Sequence, residues 1–163
     1  MNRADAPEPQ FDDLYREVIL EHYRHPHGKR ELPRADVSAE GLNPTCGDEL
    51  DLRLALDADG RIEGLQVDGR GCAISVASGS ILFDLVEGRT PAEARALLET
   101  VRAVMHGADV PAGADVGDFD ALVGVRAYPV RIKCALLPWT TLDEALRDAE
   151  RLLAARTPHE ETP

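Results

Sequence analysis

Gly69-Arg70-Gly71-Cys72-Ala73-Ile74-Ser75-Val76-Ala77-Ser78 is typical of the end of a strand, a glycine-flanked turn and the start of a helix. Cys72 lies at the junction. A thiol in this position faces unpaired backbone N–H groups and the positive end of the helix dipole, which favour the thiolate. A thiolate binds metal or attacks sulfur, whereas a lone cysteine is more often a small buried hydrophobic side chain.

A β-hairpin is predicted directly before this stretch. Residues 50–56 alternate leucine with Asp51, Arg53 and Ala55, the pattern of a half-buried strand. Residues 57–60 end in glycine and predict the turn, and 61–68 form the return strand. The alternation slips by one residue at Gly64, which indicates a bulge. Residues 28–45, which include Pro33, Gly41 and Pro44, are predicted to be an irregular connection.

Apolar residues at helical spacing predict four helices. They cover residues 11–24, 73–86, 91–105 and about 134–156. Thr90-Pro91-Ala92-Glu93 has the residue types of a capped helix start. Pro138 would interrupt the last helix unless that helix begins there. Residues 107–117 are predicted to be a loop, followed by a short apolar segment over 119–125.

Composition points to one domain in the cytoplasm. The chain has 163 residues and a net charge of −12, which argues against nonspecific binding to nucleic acid or to anionic membranes. No apolar run is long enough to span a membrane, and the start lacks a signal-peptide core. We expect residues 11–156 to form the domain, with 1–10 disordered and 157–163 frayed.

Three cysteines, Cys46, Cys72 and Cys134, are the main chemical candidates. An odd number without an export signal suits metal binding or catalysis better than disulfides. All three are predicted at boundaries between elements, where separate segments converge. Gly47 would let Cys46 and Asp48 face one ion. Three thiolates and a carboxylate suit zinc or iron–sulfur chemistry, but the spacing fits no local zinc-binding pattern, so the residues alone leave a shared site open.

Two other groups of polar residues receive simpler interpretations. His22, His25 and His27 are interpreted as a solvated helix end rather than a metal site, because no carboxylate or thiolate supports them in the sequence. Ser75, Ser78 and Ser80 are interpreted as helix-surface serines, because no His/Asp pair is evident that would activate a nucleophile.

Four segments together resemble one family, the NifU N-terminal/IscU-type iron–sulfur cluster assembly proteins. The segments are Leu14-Tyr15-Arg16-Glu17-Val18-Ile19-Leu20-Glu21-His22-Tyr23-Arg24-His25-Pro26, Asn43-Pro44-Thr45-Cys46-Gly47-Asp48, residues 69–78 quoted above, and Arg131-Ile132-Lys133-Cys134-Ala135. The resemblance covers roughly residues 11–150. It implies an α+β fold in which helices pack against one face of a small three-stranded antiparallel sheet.

The resemblance is to the SufU branch in particular. IscU-type scaffolds carry histidine directly before the last cysteine, where this chain has Lys133. Their Leu-Pro-Pro-Val-Lys chaperone-recognition stretch is replaced by Ala127-Tyr128-Pro129-Val130-Arg131, so an Hsp70-type chaperone is not expected as a partner. The long interval before Cys134, which holds the 91–105 helix, resembles the SufU insertion.

Membership of this branch implies a zinc ion bound by Cys46, Asp48, Cys72 and Cys134. It also implies sulfur transfer from a pyridoxal-phosphate-dependent cysteine desulfurase of the SufS type. In that picture a histidine of the desulfurase displaces Cys46 from zinc, and the Cys46 thiolate attacks the persulfide. Downstream SUF scaffold proteins would be further partners.

Residue roles and alternatives follow from the same resemblance. Cys46, on a loop flanked by proline and glycine, is the expected sulfur acceptor. Arg131 either stabilises the thiolates or is an ordinary surface arginine. The protein would act as a sulfurtransferase-like activator of the desulfurase. The alternatives are a scaffold that assembles an iron–sulfur cluster on the same ligands, and a non-catalytic module with structural zinc.

Overall fold

A computed structural model of the chain describes residues 13–156. In chain order the elements are α1 (Asp13–Arg24), β1 (Val37–Asn43), β2 (Asp48–Leu56), β3 (Ile62–Arg70), α2 (Ala73–Val86), α3 (Pro91–Met105), a 3₁₀ helix (Gly117–Ala127) and α4 (Pro129–Arg156). The predictions for residues 1–10 and 157–163 lie outside the described residues, and the domain boundaries stay predictions.

The α+β fold is confirmed. The three strands form an antiparallel sheet in the order β1-β2-β3. Along β2, Leu50, Leu52 and Leu54 are buried whereas Arg53 is exposed, as alternation predicts. The bulge is also present, since Ala55 pairs with Gly64 but Leu56 pairs with Ile62.

Strand β1 corrects the prediction that residues 28–45 are irregular. The sequence of β1 lacks the strong apolar–polar alternation of β2, and only its two end residues, Val37 and Asn43, are buried. Gly41 lies where a Cβ would meet the Thr141 and Leu137 side chains of α4. The glycine therefore lets a helix pack directly on this strand, although glycine in a sequence argues against a strand.

Helices α2 and α4 pack on the sheet and on each other, and α3 packs on α4. Helix α2 lies inside the core, with all residues from Ile74 to Leu82 buried. The Phe119 and Trp139 rings meet edge to face, with centroids 5.8 Å apart. The predicted helix over 73–86 and the capped helix over 91–105 are both present, and Thr90 and Glu93 form the capping box.

Helix α4 starts earlier than predicted. It begins at Pro129 and continues past Pro138, so Cys134 lies inside a helix rather than at its start. Proline fits the first helical position because its missing N–H would have no partner there. Pro138 cannot donate the hydrogen bond that the Cys134 carbonyl would otherwise accept.

Between residues 13 and 156, no helix combines the length and the apolar character needed to cross a membrane.

Candidate metal centre

Cys46 lies in the tight turn that joins β1 to β2, and Asp48 is the first residue of β2. Asn43 pairs with Asp48 across the turn, and the Cys46 N–H donates to the Asn43 carbonyl at 3.2 Å. Gly47 has a φ of +72°, a conformation that glycine adopts without strain. The turn therefore fixes Cys46 and Asp48 two residues apart at one end of the sheet, instead of on a long irregular loop.

Cys72 is held against Asp48 at the start of α2. It is the N-cap residue, and its N–H donates to Asp48 Oδ1 at 2.9 Å. Gly71 has a φ of +137°, and a Cβ there would lie 2.8 Å from the Asp48 Cα and closer still to Oδ1. The predicted strand, glycine turn and helix start are confirmed, and the glycine makes room for the carboxylate.

Cys134 comes from α4 and is fully buried. Its Sγ lies 3.2 Å from Cys46 Sγ and 4.0 Å from the Val130 carbonyl oxygen. Cys46 and Cys72 are both half-buried. The sheet turn, the start of α2 and the first turns of α4 therefore bring the three thiols to one place.

The donor set fits a metal ion. One ligand atom from each of Cys46, Asp48 and Cys134 lies within 4.8 Å of the others, and Cys72 Sγ is 4.0 Å from Asp48 Oδ2. Ligand atoms on tetrahedral zinc with bonds of about 2.3 Å are roughly 3.7 Å apart. Small side-chain shifts would give that spacing. Cys46, Asp48 and Cys134 therefore form one group, and Cys72, the fourth candidate ligand, lies beside it through its contacts with Asp48.

Asn43 is a site residue that the sequence reasoning missed. Its side chain is buried, and Nδ2 lies 3.2 Å from Asp48 Oδ2 and 3.7 Å from Cys134 Sγ. Hydrogen bonds of this kind orient metal ligands and tune their basicity. Asn43 begins the segment that carries Cys46 and Asp48, but without the β1–β2 pairing nothing showed that it points at them.

Burial raises the pKa of the Cys134 thiol far above its usual range, and the neighbouring Cys46 and Cys72 raise it further. A cation bound beside Cys134 would favour its thiolate form. Burial alone would lower the pKa of Arg131, but its hydrogen bond with Cys134 and the charge of Cys72 outweigh this and raise it. Arg131 thus lies within reach of the thiols.

The three serines are buried, which corrects their interpretation as surface residues. Ser78 Oγ donates to the Ala135 carbonyl at 2.6 Å and accepts from Trp139 Nε1. Ser80 contacts His22, which in turn contacts Asp118. These are the residue types of a serine hydrolase, but the Ser80 side chain has no access to a substrate, and its role is structural.

The chain is similar to several known proteins. The NifU-like N-terminal domain family matches residues 14–146. The chain is 37% identical over 140 residues to a Bacillus subtilis protein named zinc-dependent sulfurtransferase SufU, covering 86% of this chain and 94% of that one. It is 36% identical over 138 residues to a Streptococcus pyogenes protein named iron–sulfur cluster assembly scaffold protein IscU, covering 85% and 86%.

Two solved structures have the same fold. A Fervidobacterium islandicum protein described as an iron–sulfur cluster assembly scaffold protein for the SUF system (SufU) superposes with a TM-score of 0.73 at 32% identity, covering 80% of this chain and 94% of that one. A NifU-like N-terminal protein from Brucella abortus gives a TM-score of 0.76 at 25% identity, covering 86% and 96%.

The chain belongs to the NifU-like N-terminal domain family, and the relatives named above include one iron–sulfur cluster assembly scaffold protein and one sulfurtransferase. Within that family its relatives carry both SufU and IscU names.

Proposed function

We propose that this protein is a zinc-dependent sulfur-transfer protein that accepts persulfide sulfur on Cys46 from a cysteine desulfurase of the SufS type. The observation that carries the proposal is the contact between half-buried Cys46 and fully buried Cys134, 3.2 Å apart beside Asp48. Cys46 can reach a partner protein, whereas Cys134 can only hold the site together.

The four candidate ligands divide into an anchored set and an accessible one. Asp48 is 1% exposed and accepts hydrogen bonds from the Cys72 N–H and the Asn43 side chain. Cys134 is enclosed by the core. Cys46 lies next to Gly47, where an added Cβ would meet no atom within 4 Å. Zinc bound here by Cys46, Asp48, Cys72 and Cys134 would keep the thiols deprotonated without redox chemistry.

The transfer conserves atoms and electrons. The Cys46 thiolate attacks the outer sulfur of the desulfurase persulfide, the sulfur–sulfur bond of that persulfide breaks, and the desulfurase cysteine leaves as a thiolate. The outer sulfur and its proton end on Cys46 as a new persulfide. Arg131, beside Cys134, would stabilise negative charge during this step.

The surface around Cys46 is suited to a protein partner. Leu42 on β1 is 70% exposed and Val130 at the start of α4 is 60% exposed, and the segments that carry them also carry site residues. Lys133, exposed next to Cys134, occupies the place of the histidine of IscU-type scaffolds. This difference supports sulfur transfer over cluster assembly on the same ligands.

The test is desulfurase turnover with zinc-loaded wild type, Cys46→Ala and Thr45→Ala. We expect stimulation by the wild type and by Thr45→Ala, an exposed neighbour in the same turn, and loss of at least tenfold for Cys46→Ala. Intact-protein mass spectrometry should show one added sulfur atom on wild type after turnover and none on Cys46→Ala.

Three outcomes would contradict the proposal. Absence of stimulation by zinc-loaded wild type rules out sulfur transfer. An iron-to-sulfide ratio near one with little zinc after anaerobic purification favours the scaffold. A Cys46→Ala variant that loses stability but keeps the sulfur-transfer rate favours a structural zinc module.

A further inference from the structure

A second group of ligand-type side chains lies toward the other end of α2. It consists of His22 on α1, His27 in the connection after α1, and Asp84 on α2, with one ligand atom from each within 4.8 Å of the others. Asp84 is about 18 Å farther along the helix axis than Cys72, at 1.5 Å per residue. This group is therefore separate from the cysteine centre.

His22 is a buried histidine with both ring nitrogens in contact. It is 5% exposed; Nδ1 lies 2.6 Å from Ser80 Oγ, and Nε2 lies 2.9 Å from Asp118 Oδ2. Ser80 Oγ also accepts the His27 N–H at 2.8 Å. Ser80 therefore pins Nδ1 on the interior side, while Nε2 faces the exposed Asp118 carboxylate.

His27 and Asp84 form the accessible half of the group. Nδ1 of His27 lies 2.8 and 2.9 Å from the two carboxylate oxygens of Asp84, and both side chains are exposed. The His22 and His27 rings are 5.0 Å apart between centroids. The expectation that carboxylates do not support these histidines is therefore wrong. Asp84 and Asp118 were missed because they lie far from the histidines in sequence.

We propose that His22, His27 and Asp84 form a second divalent-cation site, with zinc as the expected ion. Two imidazoles and one carboxylate are a zinc donor set that leaves one coordination position open. The neighbouring Asp118 carboxylate, 2.9 Å from His22 Nε2, is placed to fill that position. The bound ion would join α1, the following connection and α2.

Binding of the ion would also change the tautomer of His22. Without metal, the neutral ring that satisfies both neighbours carries its proton on Nε2, donates to Asp118 and accepts from Ser80. When Nε2 binds the ion, the proton moves to Nδ1 and donates to Ser80 Oγ. The buried hydroxyl group can serve both arrangements, because it can accept as well as donate.

The test compares zinc stoichiometry and affinity in tag-free full-length protein by isothermal titration calorimetry. We expect the wild type to bind one zinc more per chain than His27→Ala, or to bind it at least tenfold more tightly. Asp84→Asn should show the same loss and serves as a second variant if His27→Ala folds poorly. His25→Ala, an exposed histidine outside the group, is the matched control and should behave as wild type.

A second readout is the ring ¹⁵N chemical shift of His22. Zinc should move Nε2 of His22 in the wild type and in His25→Ala, but not in His27→Ala or Asp84→Asn. The proposal is overturned if wild type and His27→Ala bind the same amount of zinc with the same affinity. It is also overturned if His25→Ala loses as much binding, or if the His22 resonance does not respond to zinc.

Discussion

Gly71 lies against the Asp48 carboxylate and leaves no space for a side chain there. We predict that Gly71→Ala lowers zinc affinity at least tenfold, because the new Cβ displaces Asp48 and its hydrogen bond with the Cys72 N–H. Zinc affinity is measured by competition with a chelator of known affinity.

Gly88→Ala is the matched control for that substitution. Gly88 also has a positive φ, +90°, but a Cβ there meets nothing within 4 Å. Gly88→Ala should lose about 1 kcal/mol of folding free energy from backbone strain alone. Gly71→Ala should lose more, because its Cβ also clashes with Asp48. Equal zinc affinity in the two variants would show that the space beside Asp48 does not matter.

At the residue scale, the sequence predicted which residues belong to the candidate centre better than how they are arranged. Residue type and the family resemblance were enough to name the cysteines and Asp48. Asn43 and the contacts of His22 were missed for one physical reason. Their partners come from other elements, as Asp118 does for His22, and no local pattern encodes such contacts.

At the scale of elements, Asp143 joins α3 to α4. Its carboxylate is buried and accepts hydrogen bonds from Arg95 and Arg102 at 3.0 Å and from Arg147 on its own helix. Burial opposes ionisation, but the bonds from Arg102 and Arg95 outweigh it and lower the pKa of Asp143 to about 2. The charged form therefore stabilises the fold.

We predict that Asp143→Asn lowers the free energy of unfolding by about 2 kcal/mol at neutral pH, as for hydrogen bonds to charged groups. The folded-state pKa is depressed, so this stabilisation is full above the ordinary pKa of 3.8 and disappears as pH falls toward 2. Urea unfolding of wild type and variant at several pH values measures the difference.

Asp148→Asn is the control, because Asp148 lies on the same helix in an exposed ion pair with Arg151. It should change stability little at any pH. A difference between wild type and Asp143→Asn that stays constant down to pH 2 would contradict the assigned cause.

The elements differ in how well the sequence predicted them. Helices α2 and α3 follow from strong local patterns, including the Thr90 cap. Strand β1 was missed because its outer face is exposed and Gly41 is there to admit α4, a requirement of packing alone. The start of α4 was missed because Pro129 stands before a turn with no apolar periodicity.

At the scale of the whole molecule, the candidate cysteine centre joins the sheet, α2 and α4. A ligand that binds only the folded state, present at a concentration 100 times its dissociation constant, adds about 2.7 kcal/mol to the free energy of unfolding. We therefore predict that removing zinc with a chelator lowers the melting temperature by roughly 5–10 °C. The melting temperature is measured by differential scanning calorimetry in the His27→Ala variant. This variant lacks the second proposed site, so the change reports on the cysteine centre alone.

An unchanged melting temperature after verified removal of zinc would contradict a joining role for the centre. Cys134→Ser should lower the melting temperature of the zinc-treated protein toward that of the metal-free protein.

The two-residue spacing between Cys46 in the β1–β2 turn and Asp48 at the start of β2 has a further consequence for chain entropy. A link from residue 46 to residue 134 spans 88 positions, and closing such a loop costs the unfolded chain about 4.5 kcal/mol. A link from Asp48 closes almost the same loop. If Cys46 leaves the proposed ion to take up sulfur, Asp48 keeps that loop closed. The Cys46 thiolate is then released while the segments that position it stay joined.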